Sequence, residues 1–250
     1  MRVAREKEIL ELLEKEKYCE VETIASALCL SPSTVRRNLA DLERKGLIHR
    51  VHGGAEIKSE NAFNISFTFR THLSSAEKKK IALSAVKLVK NGNVVFLDGS
   101  TTAFFMAEYL SEFSDVKVVT NSINTLTLLA KNGVTAYSTG GVVSKENPSI
   151  LVGHFAEKMI DSVCADIAFF SAQSLNEKGE IYDCYEEELP IRLAMMRNAK
   201  KKVFLCDDTK FERNSVFRLC SLSEVDCFIC NKNLKEKLKC ESLPEIIAFE

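Results

Sequence analysis

SPSTVRRNL, Ser31 to Leu39, opens a helix at a defined residue and then sets two adjacent arginines in its first two turns. Ser31 is a strong N-cap, because its hydroxyl can accept a hydrogen bond from an otherwise unpaired first-turn N–H. Pro32 suits the first helical position, where its missing N–H costs nothing and its fixed φ is already helical. At about 100° per residue, Val35, Leu39 and Leu42 fall within about 60° of one another and form the core face. Ser33, Arg37 and Ala40 lie nearly opposite, with Arg36 on the flank. The outward face near the helix start is therefore small and basic.

The segments on either side fit one plan. Val21, Ile24, Ala25 and Leu28 give a short amphipathic helix, joined through the turn CLS to the capped helix, and Ile9, Leu10, Leu12 and Leu13 give an earlier one. GLIHRV then reads as a strand with a turn at Gly53-Gly54, a wing that carries His49, Arg50 and His52. In a helix-turn-helix the second helix enters the major groove with its N-terminal residues at the base edges. Small residues allow that approach, and arginines reach phosphates or guanine. The residues expected to contact double-stranded DNA are Ser31, Ser33, Thr34, Arg36, Arg37, Arg50, His52 and Gly53. The competing reading is a three-helix interaction module with no DNA contact.

Net charge is −1, so no global basic field announces a nucleic-acid partner. Charge is nonetheless segregated. Between Ser31 and Lys58, six basic residues (Arg36, Arg37, Arg44, Lys45, Arg50, Lys58) face three acidic ones (Asp41, Glu43, Glu56), a local balance of +3. No apolar run approaches the roughly 18–20 residues that span a bilayer, and the N-terminus lacks a secretory apolar core, so no membrane role and a cytoplasmic location are expected. The nine cysteines are read as buried structural thiols. Cys227 and Cys230 sit in a strand pattern that points them to opposite faces, which disfavours a metal pair. No metal and no cofactor are expected.

The polar stretch 59–75 has no clear periodicity and reads as a linker. From Ala76 onward, apolar strand segments alternate with helical segments, the pattern of a mostly parallel α/β sheet covered on both faces. The division expected is residues 1–58 as a winged helix-turn-helix, 59–75 as linker, and 76–250 as an α/β domain for effector sensing and oligomerisation. Five strands end in small polar residues: LDGSTT (97–102), VTNS (119–122), STGG (138–141), FSAQS (170–174) and LCDDTK (205–210). Each alone is ordinary turn chemistry. Together they suggest a shared cleft, because open α/β sheets bind ligands outside the carboxyl ends of their strands and helix starts suit phosphate. The candidate effector residues are Asp98, Gly99, Ser100, Thr101, Thr102, Thr120, Asn121, Ser122, Gly140, Gly141, Asp207 and Lys210. Lys210 is expected to place charge on a phosphate, and Asp98 to accept bonds from sugar hydroxyls.

The run from Ser31 to Ala55, S-P-S-T-V-R-R-N-L through R-V-H-G-G-A, resembles the winged helix-turn-helix of the DeoR family of bacterial sugar-metabolism regulators. Asn38 stands where that family usually has Asp. Asp98-Gly-Ser-Thr-Thr102, Thr120-Asn-Ser122, Gly140-Gly141, Leu151-Val-Gly153 and Asp207-Asp-Thr-Lys-Phe211 are similar, in order, to the family's sensor domain. There are departures: Gly99 and Ser100 are exchanged, Arg192 replaces a common helical Lys, and Ser171 to Ser174 replace a frequent Gly-Val-Asp-Gly. The resemblance implies a ribose-5-phosphate-isomerase-like fold that senses phosphorylated sugars and carries no catalytic duty. The expected protein is a dimeric or tetrameric repressor of a carbohydrate-utilisation operon. The alternative is a sugar-phosphate isomerase with an appended head, its general base drawn from Asp98, Asp207 or Asp208, with Glu186 to Glu188 a solvated helix start and His154 packing or capping.

Overall fold

The apolar spacings of the first seventy residues build a small core of their own. In the computed structural model, which describes residues 2–16, 18–45, 47–51, 53–57, 67–240 and 242–249, the chain divides into two units, Met1–Leu73 and Ser74–Glu250. The first contains α1 (Arg2–Glu16), β1 (Tyr18–Glu20), α2 (Val21–Ala27), α3 (Pro32–Arg44), β2 (Ile48–Val51), β3 (Gly54–Ile57) and α4 (Phe67–His72). Ile9, Leu10 and Leu13 of α1 close over Ile24 and Ala25 of α2 and over Val35, Leu39 and Leu42 of α3.

The wing is a three-stranded antiparallel sheet in the order β1-β3-β2. Gly53 turns the chain at φ 83°, a conformation that side chains with a Cβ disfavour. At Gly54 a Cβ would lie 2.3 Å from the Cys19 carbonyl oxygen, so glycine is what lets β1 and β3 approach. Sequence periodicity does not reveal β1, because three residues are too few to show alternation.

The stretch expected as a linker is only partly open to description. Residues 59–66 lie outside the described residues. Residues 67–72 form α4, with Phe67 buried and the Arg70 guanidinium 5.9 Å from its ring centre. Leu73 packs on the core of the first unit. A six-residue helix held by such contacts has too little length to display a period.

The second unit runs α5 (Ser75–Val86), β4 (Val94–Leu97), α6 (Thr101–Met106), β5 (Lys117–Thr120), α7 (Ile123–Lys131), β6 (Thr135–Ser138), β7 (Val142–Val143), β8 (Leu151–Val152), α8 (His154–Asp161), β9 (Ala165–Phe170), β10 (Ser174–Leu175), β11 (Glu180–Asp183), α9 (Leu189–Arg197), β12 (Ala199–Cys206), β13 (Phe217–Ser221), β14 (Cys227–Cys230) and β15 (Glu245–Ala248). Among the described residues, seven strands pair in parallel in the order β15-β14-β12-β9-β4-β5-β6. The chain runs outward from β4 to β5 and β6, then returns to the other side of β4 with β9. The order therefore reverses between β4 and β9, the place where open sheets form a crevice.

Alternate strand residues serve opposite faces. Val95, Leu97, Val118, Ile167, Phe169, Val203 and Leu205 pack under α5, α6 and α7. On the other face, Phe96, Val119 and Ala168 meet α8 and α9. Farther along that face, Phe170, Phe204 and Phe228 stack at 5.4 and 5.6 Å beneath the small antiparallel sheet β10-β11-β13. Cys227 joins the first cluster and Cys230 the third, so the two thiols do lie on opposite faces. α9 ends at Arg197, because Ala199 already pairs with Ala165 in the sheet.

Candidate DNA interface and effector site

The cap that the sequence specifies is formed. Ser31 Oγ accepts from Thr34 N at 3.2 Å, and the hydroxyls of Ser33 and Thr34 lie 3.0 and 2.8 Å from it. Ser33, Arg36 and Arg37 are exposed. Arg36 Nη2 lies 3.3 Å from Glu22 Oε1 of α2, a surface pair of little stability. Arg37 has no ion pair or hydrogen bond among the described residues, and its guanidinium is free to meet a phosphate or a base. On the wing, Arg50 is exposed with Nη1 3.7 Å from Glu43, Gly53 forms the turn, and His49 is exposed. His52, expected as a contact, lies outside the described residues. Asn38 is no reader of bases: it is buried, and its Nδ2 donates to the Thr34 carbonyl at 2.8 Å within α3.

At the sheet crevice the structure assigns Asp98 a different task from the one expected. Its carboxylate is fully buried and already taken. Oδ1 accepts from Ser100 N at 3.1 Å, and Oδ2 accepts from Ser171 N at 3.1 Å and from Arg192 Nε at 3.0 Å. Asp98 thus ties the end of β4 to the end of β9, with three of its roughly four acceptor sites already engaged.

Arg192 is the residue that sequence reasoning undervalued. Its side chain is 6% exposed, with Nε on Asp98, Nη2 2.7 Å from Glu188 Oε2, and Nη1 3.1 Å from Asp183 Oδ2, the last an ion pair off the line of a good hydrogen bond. Burial alone would push the guanidinium's pKa down, yet the carboxylates of Asp183, Glu188 and Asp98 hold it above its ordinary value. The signal available in the sequence was the arginine at a helical position where the resembling family has lysine. Nothing local pointed to Asp183 or Glu188 as its partners.

The remaining candidates lie at the carboxyl ends of the same parallel strands. Lys210 Nζ donates to Ser171 Oγ at 2.8 Å and lies 4.0 Å from Asp207 Oδ2, so its charge is partly engaged. Ser100 caps α6 through Ala103 N, and Ser122 caps α7 through Thr125 N. Thr120 Oγ1 accepts from Ser122 N, and Asn121 Nδ2 donates to the Leu151 carbonyl. At Gly99 a Cβ would fall 2.1 Å from Ile150 Cδ1, which reserves that space for the isoleucine. Gly140 and Gly141 take φ values of 63° and 101° at the entrance to β7. Thr101 and Thr102 are buried in the first turn of α6. Thr102 Oγ1, Asn121 Oδ1, Thr125 Oγ1 and Asp207 Oδ2 are buried without a hydrogen-bond partner. His154 is exposed, and Gly153 rather than His154 occupies the N-cap of α8.

A winged helix-turn-helix head with an exposed basic helix start, joined in one chain to an open parallel α/β sheet, is the architecture of a DNA-binding regulator with a sensor domain. Comparison with known proteins gives the family. A family model described as the DeoR-like helix-turn-helix domain matches residues 5–61, and one described as the DeoR C-terminal sensor domain matches residues 73–232. The chain belongs to the DeoR family of transcriptional regulators.

Relatives extend over nearly all of it. The HTH-type transcriptional regulator GolR of Listeria innocua is 34% identical, covering 98% of each chain. The HTH-type transcriptional repressor GlcR of Bacillus subtilis is 32% identical over 90% of this chain and 86% of its own. The L-fucose operon activator of Haemophilus influenzae is 30% identical over 94% of both. Among solved structures, ribose 5-phosphate isomerase A of Methanocaldococcus jannaschii is similar to 55% of this chain and 55% of its own, at 22% identity and a TM-score of 0.42, which is too low to bear on function. No helix among the described residues is long and apolar enough to cross a membrane.

Proposed function

We propose that this protein is a repressor of a carbohydrate-utilisation operon, that it binds duplex operator DNA as a homo-oligomer through the start of α3 and the wing, and that a phosphorylated sugar at the strand-end crevice sets its affinity for DNA. The observation that carries the reading is the capped start of α3, which presents Ser33, Arg36 and Arg37 to solvent. Ser31, Thr34, Arg50, His52 and Gly53 complete the DNA-contacting set. Paired heads follow from the way such domains read two half-sites.

The effector assignment is supported by the site's chemistry. Four buried polar atoms without partners lie near one sheet edge, and such atoms cost free energy until a bonding partner reaches them. A polyhydroxylated ligand supplies donors to Asn121 and Asp207 and partners to Thr102 and Thr125. Regulation then requires the ligand to bind one arrangement of the protein more tightly than the other. Among the named relatives, GlcR and two glycerol-3-phosphate regulon proteins are repressors and one is an L-fucose operon activator.

The test combines two measurements on the full chain. Thermal shift against a panel of sugar phosphates and their unphosphorylated counterparts identifies the effector; a ligand at 100 times its dissociation constant stabilises by about 2.7 kcal/mol. Fluorescence anisotropy on a duplex selected from a random pool then reads whether that ligand weakens binding. Stabilisation by the phosphorylated forms alone, with loss of DNA affinity, is the expected outcome. No shift across the panel, or turnover of a sugar phosphate seen by NMR, overturns it.

A further inference from the structure

We infer that Glu22 of α2 is a positioning residue of the DNA interface: its carboxylate holds the Arg36 guanidinium so that the free donors meet a base edge, best a guanine, and not the nearest phosphate. This rests on the reading that the start of α3 enters the major groove. Glu22 stands in the first turn of α2 and Arg36 in the second turn of α3. Arg36 Nη2 donates to Glu22 Oε1 at 3.3 Å, a bond between residues 14 positions apart. Among the described residues the Glu22 side chain has no other hydrogen bond or ion pair, and of the two adjacent arginines Arg36 alone is tied to a carboxylate.

The wing shows what a carboxylate with another task looks like. Glu43 Oε1 accepts from the Arg50 backbone N at 3.1 Å, while Oε2 lies 3.7 Å from Arg50 Nη1. Glu43 therefore braces strand β2 first and its guanidinium second. Glu22 holds no backbone group outside its own helix. A carboxylate in a first helical turn gains a little from the helix dipole, but that gain does not require an arginine of another helix.

The chemistry favours a base as the target. A guanidinium presents its N–H donors in a rigid planar fork. The bond to Glu22 fixes Nη2 and leaves Nε and Nη1 open, and guanine O6 and N7 are the acceptors that suit arginine in the major groove. An untethered arginine meets a phosphate equally well in any sequence. In the free protein the pair is solvated, with side chains 58% and 64% exposed, and stabilises the fold little. Docking in a groove strips water from it, and the attraction grows as the local dielectric falls. A negative charge carried there lowers affinity for duplexes in general, and specificity draws on such a penalty as well as on the matched contact.

Glu22→Gln keeps the size of the side chain at an exposed position and tests this on the full chain. Fluorescence anisotropy compares a duplex that the wild type selects from a random pool with a scrambled duplex of the same length. The selected-over-scrambled affinity ratio should fall several-fold, with loss on the first duplex and gain on the second. For the scrambled duplex, the slope of log affinity against log salt should steepen by about 0.9 for each head, as the freed arginine reaches a phosphate. Selection repeated with the variant should lose preference at one guanine of the half-site, the same one that Arg36→Ala loses. With Arg36→Ala already present, Glu22→Gln should leave the ratio as it is. An unchanged ratio and slope in a variant that melts like the wild type overturn the inference. So does an equal fall with Arg36 absent, which would make Glu22 a charge acting at a distance. A wild type that prefers neither duplex overturns the reading of α3 and this inference with it, whereas a preference kept in full by both proteins overturns this inference alone.

Discussion

Replacing Arg192 with methionine keeps the length of the side chain and removes its charge. Three carboxylates, those of Asp98, Asp183 and Glu188, then share a buried site with no counter-charge in contact. Removing one partner of a buried pair costs about 3–5 kcal/mol, and for a domain of this size each kcal/mol lowers the melting temperature by about 2–4 °C. The expected loss at pH 7 is therefore roughly 6–20 °C. The pH profile carries the sharper test. In the variant three buried like charges repel one another with no guanidinium between them, and taking up a proton relieves that repulsion. A group with a raised folded pKa favours folding below the unfolded pKa and loses that contribution as pH rises through the folded pKa. The deficit against wild type should thus be largest near pH 8 and shrink toward pH 5, measured by circular-dichroism melts at fixed ionic strength. A deficit that is equal at both pH values would show that the guanidinium acts by packing alone, and would refute the reasoning.

Three further outcomes follow from the same geometry. Ser31→Ala removes the acceptor for Thr34 N and should cost about 1 kcal/mol of stability in the first unit, read from urea unfolding; no change there would mean that the cap is redundant. Gly99→Ala puts a methyl against Ile150 Cδ1 and should destabilise by roughly 1–3 kcal/mol, with recovery in the double variant that adds Ile150→Val; a neutral single variant would contradict the close approach. In native thiol labelling, exposed Cys29 and Cys164 should react first. Cys206, Cys220, Cys227 and Cys230 should stay silent until unfolding, since burial pushes their thiols up, to about 12 for Cys220 and about 11 for Cys227 and Cys230.

The sequence announced whatever depended on neighbours along the chain. The cap at Ser31, the apolar face of α3 and the apolar strands β4, β5, β6, β9, β12 and β14 all follow from spacings of a few residues, and they form as read. The site was legible as a place more than as an arrangement. The strand-end segments do fall at the same carboxyl end of the parallel sheet, but Asp98 meets Arg192 across 94 positions and Ser171 across 73, and no local pattern encodes such pairs. Hence Asp98 reads locally as a ligand for sugar hydroxyls, while its bonds to Ser100, Ser171 and Arg192 show only in the fold. The two-residue strands of the β7–β8 hairpin and of β10 were illegible for another reason: alternation needs more residues than they contain.

The central claim is that the start of α3 reads duplex DNA. Anisotropy titration of wild type and Arg37→Ala on a selected duplex, at matched salt and with matched melting temperatures, tests it most directly. A loss of about 1–3 kcal/mol, roughly 5- to 150-fold in affinity, is the expected result for a guanidinium that reaches a base. Equal affinity of the two proteins, or a wild type that prefers the selected duplex no more than a scrambled one, would contradict it.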